Sequence, residues 1–449
     1  MKLYKKATLL ASMLALFLFV SCNSEDEPIQ DSEFTIEITN FEASYDKVQI
    51  DWSFEKGDDV HIQKIYVIRT TTDQNGFVDT KIIATLPATQ FSYIDTDIPY
   101  FAEISYKVTP LYVVTDAFIE SEFYDYISLD SEIKTYDRNI VFFNEVPFQV
   151  KKDPLDDHIF HLIDRLDIAA LKKYDFNDNT VIKNADLSEN YTHNVVFKVI
   201  DNLIYIGDDT GKFRLINKST YEIEKEFMVA IDGKLKSFAV DGDRIYYHDN
   251  DVLKLYNLST EVSLNLNLAY LPSKFMETIT GNQILFESTK VAEISSTNCP
   301  DNTNCNPNIL YSYDAVAGEE LHHDPYIFSF NKDKTKFITS YFGDVVNLSN
   351  LTKEASLKEI TGENYFQAVF DNEGKIYATV QGKKMIHVFN ADYELIDTIE
   401  TKLYPLFPLL TSEGLKVIGS YTSVQYSGYL YGLEFNFNDS NGKCAIEVF

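Results

Sequence analysis

The sequence predicts an all-β protein in two parts, a β-sandwich over residues 33–135 followed by a seven-bladed β-propeller over residues 139–449. Three observations predict it. Short runs of alternating apolar and polar residues, parted by turn residues, fill the first part. A different apolar run then recurs seven times at a nearly constant interval. Aromatic residues make up 14% of the chain, 30 Tyr and 32 Phe against one Trp, a bias that favours strands.

Length and charge set the outer bounds. The chain has 449 residues, which suits two or three domains. With 45% hydrophobic residues it can bury a real core, which excludes wholesale disorder. It carries 39 Lys+Arg against 69 Asp+Glu, a formal charge of −30. Such a surplus of acid repels phosphate backbones and argues against a nucleic-acid partner.

Residues 1–21 read as a signal peptide, to be set aside before the fold is considered. Lys2, Lys5 and Lys6 form a basic start, and residues 7–20 are an apolar stretch of 14. A helix needs about 20 residues to cross the roughly 30 Å of a bilayer, so this stretch is too short to span one. It ends in Phe19-Val20-Ser21-Cys22, which resembles the lipobox of bacterial lipoproteins, where the Cys is lipidated. Asn23-Ser24-Glu25-Asp26-Glu27-Pro28 follows, and a Ser with an acidic run in this place looks like the export tag of certain Gram-negative surface lipoproteins. The resemblance implies acyl chains such as palmitate on Cys22 and an acidic tether over 22–32. It also implies a membrane as partner and display at the surface of the outer membrane. An oxidising, exported location points to a local Cys299–Cys305 disulfide, while Cys444 reads as a small buried hydrophobe. Paired CxxC motifs are missing, so no zinc or other metal site is expected from these cysteines.

In the first part, Thr35-Ile36-Glu37-Ile38 is followed by Lys47-Val48-Gln49-Ile50-Asp51-Trp52-Ser53-Phe54, where Val48, Ile50 and Trp52 share one face. Runs at 65–69, 81–84, 91–94 and 104–112 come next, and a last strand is expected near 118–127. An early V-x-I-x-W strand, the turn Asp95-Thr96-Asp97 and a late Tyr106-x-Val108 pair occur in the order of a fibronectin type III domain, which this region resembles. The resemblance implies a core role for Trp52 and a spacer or adhesive role for the domain.

The repeating runs begin at Ile159, Ile204, Ile245, Ile284, Phe337, Ile376 and Val417, at spacings of 45, 41, 39, 53, 39 and 41. The one long spacing contains an insertion that carries Cys299 and Cys305. Each run has an apolar strand before it, as in Val196-Phe197-Lys198-Val199, and a third strand after it, as in Leu253-Lys254-Leu255-Tyr256. A more polar fourth strand completes each unit, and four strands per repeat is the pattern of a propeller blade. The first strands are expected to be the most apolar and to line a central channel. Cys444-Ala445-Ile446-Glu447-Val448 is expected as the last outer strand, with Asn139-Ile140-Val141-Phe142-Phe143 helping to close the ring. Turns such as Asp371-Asn372-Glu373-Gly374-Lys375-Ile376-Tyr377 resemble the divergent, Asp-Gly-rich propellers of the quinoprotein-like and YVTN-type group. The tryptophan-docking motifs of quinoprotein enzymes are missing, so a quinone or other cofactor is not expected.

Turns from second to third strands share one face of a propeller with the links between blades. That face collects Asp208 and Asp209, His248, Asp249 and Asp251, Tyr341 and Asp344, and Tyr421 and Tyr426. The insertion over 287–308 is assigned to the same face. Carboxylates bind hydroxyls and rings stack on sugar faces, so these residues are candidates for a glycan or protein ligand. Asp and Asn are also ordinary turn residues. His322-His323-Asp324 has no third partner in sight and reads as a solvated loop. Gly-x-Ser-x-Gly, His-Glu-x-x-His and phosphate-binding Gly loops do not occur. The expected function is a non-enzymatic binding or scaffold module. A glycoside hydrolase or polysaccharide lyase using paired acids, and a structural accessory of an outer-membrane complex, are the alternatives.

Overall fold

A computed structural model of the chain describes residues 34–449 apart from 74–75, 115–125, 139, 144, 146, 165–168, 189–195, 209–210, 230–236, 250–251, 270–274, 280–281, 287–289, 296–307, 313–328, 340–341, 351, 424–425, 428–433 and 436–443. The chain divides into two compact units, Met1–Arg138 and Asn139–Phe449.

The first unit has two antiparallel sheets. The smaller runs in the order Thr35–Ala43, Val48–Glu55, Ser92–Asp95. The larger runs Val78–Pro87, Val60–Thr72, Glu103–Val114, Ile127–Ser128. A further strand, Lys134–Asp137, also pairs with Glu103–Val114 and carries the unit past residue 135. Most of the strand expected near 118–127 lies outside the described residues. Alternation turns Val48, Ile50 and Trp52 of one sheet towards Ile65, Val67, Ile104, Tyr106 and Val108 of the other, and these form one buried cluster. A polar tie crosses the layers at its edge. Asp95 accepts a 2.7 Å ion-paired bond from Arg69 and a 2.9 Å bond from the Tyr106 hydroxyl.

In the second unit, seven four-stranded antiparallel sheets are found among the described residues. The first takes Pro147–Lys152, Ile159–Asp164, Ala169–Asp175 and Thr180–Ser188; the next five follow in the same sequential order. The seventh departs from it. There the order is Tyr404–Thr411, Gly414–Ser420, Cys444–Val448 and then Val141–Phe143, brought back from the start of the unit. Cys444–Val448 is therefore the third strand and not the outermost one expected from the sequence. Pairing the two ends of the unit covers the edge of Cys444–Val448 and gives this sheet the four strands of the others, at the cost of closing a long loop.

First strands of successive sheets lie side by side, as Phe238–Asp241 does beside Phe275–Ile279 and Tyr365–Phe370 beside Tyr404–Thr411. Polar bonds tie the sheets together. Phe197 N–H donates to Gln149 Oε1 at 3.4 Å, Lys225 Nζ to Leu258 O at 3.2 Å and Thr278 Oγ1 to Val240 O at 2.5 Å. Lys334 Nζ reaches Thr278 O, Ser329 reaches Ala368, and Thr379 reaches Leu406. Lys152 of the first sheet donates to Leu410 O of the seventh, which brings the series back to its start. Four-stranded sheets arranged radially and tied into a ring form a β-propeller.

Burial along the sheets corrects one expectation. The second strands are the most deeply buried, as in Leu203–Gly207, while first strands such as Val196–Ile200 are largely half-buried. A first strand has the channel on its inner side, whereas a second strand has neighbours on every side. Fourth strands such as Ile223–Met228 and Leu395–Glu400 are mainly exposed. The turns after third strands share a device that the apolar runs did not reveal. Asn217, Asn257, Asn347 and Asn390 each accept a backbone N–H two or three residues on through Oδ1, closing an Asx-type turn.

Candidate functional site

In an up-and-down sheet the turns from second to third strands and the links to the next sheet leave by the same end. Asp208, His248, Asp249 and Asp344 stand at that end, on the second, third and fifth sheets. Asp208 is 1% exposed. Its Oδ1 accepts the Lys212 N–H at 3.0 Å, and its Oδ2 lies 3.7 Å from the Arg214 guanidinium. It shapes its own turn and offsets a buried cation. His248 is buried with neither ring nitrogen hydrogen-bonded among the described residues, and burial pushes its pKa down to about 4. Asp249 pairs with Lys254 through one oxygen, while its other oxygen, Oδ1, is buried without a partner. Burial holds the Asp344 carboxyl above the usual carboxylate range, against a bond from Ser356.

Tyr421 is half-buried, and Tyr426 opens a two-stranded ribbon opposite Phe435. Asp209, Asp251, Tyr341, His322-His323-Asp324, the Cys299–Cys305 pair and the lipidation site Cys22 all lie outside the described residues. Of the insertion over 287–308, Lys290–Ser295 is the third strand of its sheet and Asn308 begins the fourth, while residues 287–289 and 296–307 lie outside the described residues. Among the described residues no group of His, Cys, Asp and Glu is placed to hold a metal ion.

A different site occupies the channel towards the other end, where first strands turn into second strands. First strands of the first four sheets, with Lys334 from a turn of the fifth, line a half-open cavity of about 360 Å³. Pockets for small molecules range over about 300–1,000 Å³. Side chains alternate along each strand, so Val150 joins the buried core while Gln149 and Lys151 take the other face. Lys198 crosses from the second sheet to the fourth, with Nζ 2.8 Å from Glu277 Oε2 and 2.8 Å from Met276 O. Lys334 Nζ donates to Thr278 O at 3.1 Å.

Lys151 makes no hydrogen bond or ion pair among the described residues. Burial pulls its pKa down, Lys198 adds to the effect, and Glu277 opposes it. Burial pulls Glu277 upwards, yet Lys198, with Lys334 and Lys151 behind it, holds its carboxyl below the usual range. Three lysines thus converge on one glutamate, an excess of positive charge inside a chain of net charge −30. Such an arrangement can hold an anion. The sequence did carry a signal, a Lys in the middle of the apolar run Val196-Phe197-Lys198-Val199-Ile200.

A second polar group ties the first sheet to the second. His161 Nε2 lies 3.0 Å from Asp153 Oδ2, its Nδ1 lies 2.5 Å from the Tyr221 hydroxyl, and Lys218 Nζ lies 3.0 Å from Asp153 Oδ1. A carboxylate only accepts, so Nε2 carries the proton and Nδ1 accepts from Tyr221. Burial lowers the His161 pKa to about 4 although Asp153 opposes it. His161 is 0% exposed, so this Asp–His–Tyr series is a latch between sheets and not a site open to substrate.

No protein-family model and no curated protein matches the chain. Several solved structures are similar to it in fold. The WD40 repeats of RRP9 are 8% identical, with a TM-score of 0.46, over 69% of this chain and 97% of that one. BamB from Moraxella catarrhalis is 10% identical, with a TM-score of 0.40, over 70% of this chain and 85% of that one. The Cps50 (Swd1) β-propeller domain of Myceliophteria thermophila is 11% identical, with a TM-score of 0.49, over 69% and 98%. The propeller assignment itself rests on the order of the sheets and the ties between them.

Proposed function

We propose that this chain is a lipid-anchored, surface-exposed binding module, non-enzymatic, whose seven-bladed propeller is the ligand-holding part. The observation that carries this reading is the half-open, charge-lined cavity at one end of the channel, built from five separate sheets. Residues brought together from such distant positions are held by the ring as a whole, which is how a rigid scaffold preorganises a pocket. The anchor is Cys22, and the tether over 22–32 leads into a fibronectin type III-like stalk. The sheet orders of the first unit and the buried Trp52 support that likeness.

The test is a glycan-array screen of the full chain in detergent, with product analysis on every hit. Binding without turnover is the expected outcome. Turnover would overturn the non-enzymatic reading in favour of a hydrolase or lyase. A blank array with stable co-purification of an outer-membrane protein would make the chain a structural accessory. Cys22→Ala should release the protein from membranes, and retention would overturn the anchor.

A further inference from the structure

We infer that the channel cavity is an anion site, and that its ligand is a sugar-sized molecule bearing a carboxylate or phosphate group, seated on Lys151, Lys198 and Lys334. The inference rests on the binding reading above and gives its ligand a chemical class.

The geometry sets out the requirement. Lys198 is satisfied on two sides by Glu277 Oε2 and Met276 O, so it is fixed in place across the channel. Lys334, an exposed turn residue, reaches the rim of the cavity through a single bond to Thr278 O. Lys151 comes from a different sheet into the same cavity and brings a third cation to a place with one carboxylate. Lys151 is half-buried, and a cation partly withdrawn from water without a partner costs stability. Removing the Lys151 ammonium would relieve the fold of that cost, and a bound anion would offset it. Gln149 and Thr278, also in the lining, supply neutral polar groups of the kind that orient a polyol. The remainder of the lining includes Val196, Val199, Ile200 and Val240, apolar walls that strengthen an ion pair by excluding water. Across the cavity mouth, Lys152 is already paired with Asp157, so it does not add to the excess.

The experiment is calorimetric titration and thermal melting of the full chain in detergent, at matched ionic strength in chloride. The probes are glucuronate, inorganic phosphate and glucose. Glucuronate or phosphate should bind saturably at one site per chain and raise the Tm; glucose should not. Preference between the two anions identifies a carboxylate or a phosphate as the group recognised. Lys151→Gln should weaken anion binding at least tenfold and leave the Tm of the unliganded chain at or above wild type. Glu277→Gln should tighten binding, because it removes the one competing carboxylate. Lys383→Gln makes the same charge change at the other end of the propeller and should leave binding unaltered.

No saturable binding of either anion, or unchanged binding in Lys151→Gln, would overturn the inference. If neutral glycans bind on the array while both anions fail, the anion site falls and the binding reading stands. If neither binds, both fall.

Discussion

At one end of the propeller, second strands turn into third strands, and the carboxylates Asp208 and Asp344 fold inward to hold their own turns and neighbours. At the other end, first strands turn into second strands, and Lys151, Lys198 and Lys334 face a shared cavity around Glu277. The repeat is the same at both ends. What differs is where the charge is spent. Asp208 is satisfied within four or six residues of chain, by Lys212 and Arg214, whereas Asp249 beside it keeps one oxygen without a partner among the described residues. The lysines come from strands far apart in sequence, and among the described residues nothing local accounts for Lys151. Polar residues that satisfy one another locally report on folding, and those left over in an enclosed space report on ligands.

The sharpest way to break this comparison is to damage each end and ask which readout moves. Asp153→Ala, in the latch between the first and second sheets, leaves His161 and Lys218 buried without their partner. It should cost about 3–5 kcal/mol of propeller stability in urea denaturation. A loss below about 1 kcal/mol would mean that the latch is not what joins these sheets.

Acid should act at the opposite end through His248. Its folded pKa, about 4, lies below the unfolded value of about 6.5, so the unfolded state binds the extra proton. Its contribution is fully present above about pH 6.5 and is lost as pH falls through about 4, on the order of 3 kcal/mol in all. His161, at the other end, has the same lowered pKa and adds a slope of the same sign, so urea titrations from pH 7 to 4 should show both, and His248→Leu should remove about half.

Asp208→Ala should cost about 1–3 kcal/mol, because the Lys212 N–H and the Arg214 guanidinium lose an acceptor. Calorimetric titration with anions should be unchanged by it. A loss of binding with stability intact would return the site to the end where the sequence first placed it. The smallest effect is expected from Lys383→Ala, which removes a surface pair with Glu363. It should change stability by less than about 1 kcal/mol, and by less still in high salt.

Much of the fold was legible because it is periodic. The runs at Ile159, Ile204, Ile245, Ile284, Phe337, Ile376 and Val417 all fall on second strands, which are deeply buried where their burial is described, as in Ile159–Asp164 and Leu203–Gly207, so apolar character is under strong demand there. Trp52 likewise lies in the core of the first unit, as alternation with Val48 and Ile50 implied. The candidate site was less legible. Asp and Asn at loop positions look alike whether they cap a turn or hold a ligand, and Asp208 proves to shape a turn.

The sequence by itself determined most of the strands and their grouping in fours, because alternation and turn chemistry act over a few residues. Only the tertiary structure decided that Val141–Phe143 would complete the last sheet, and that Lys151, Lys198 and Lys334 would meet. Those outcomes depend on how the ring closes. Closure brings together residues hundreds of positions apart, and no local pattern records that distance.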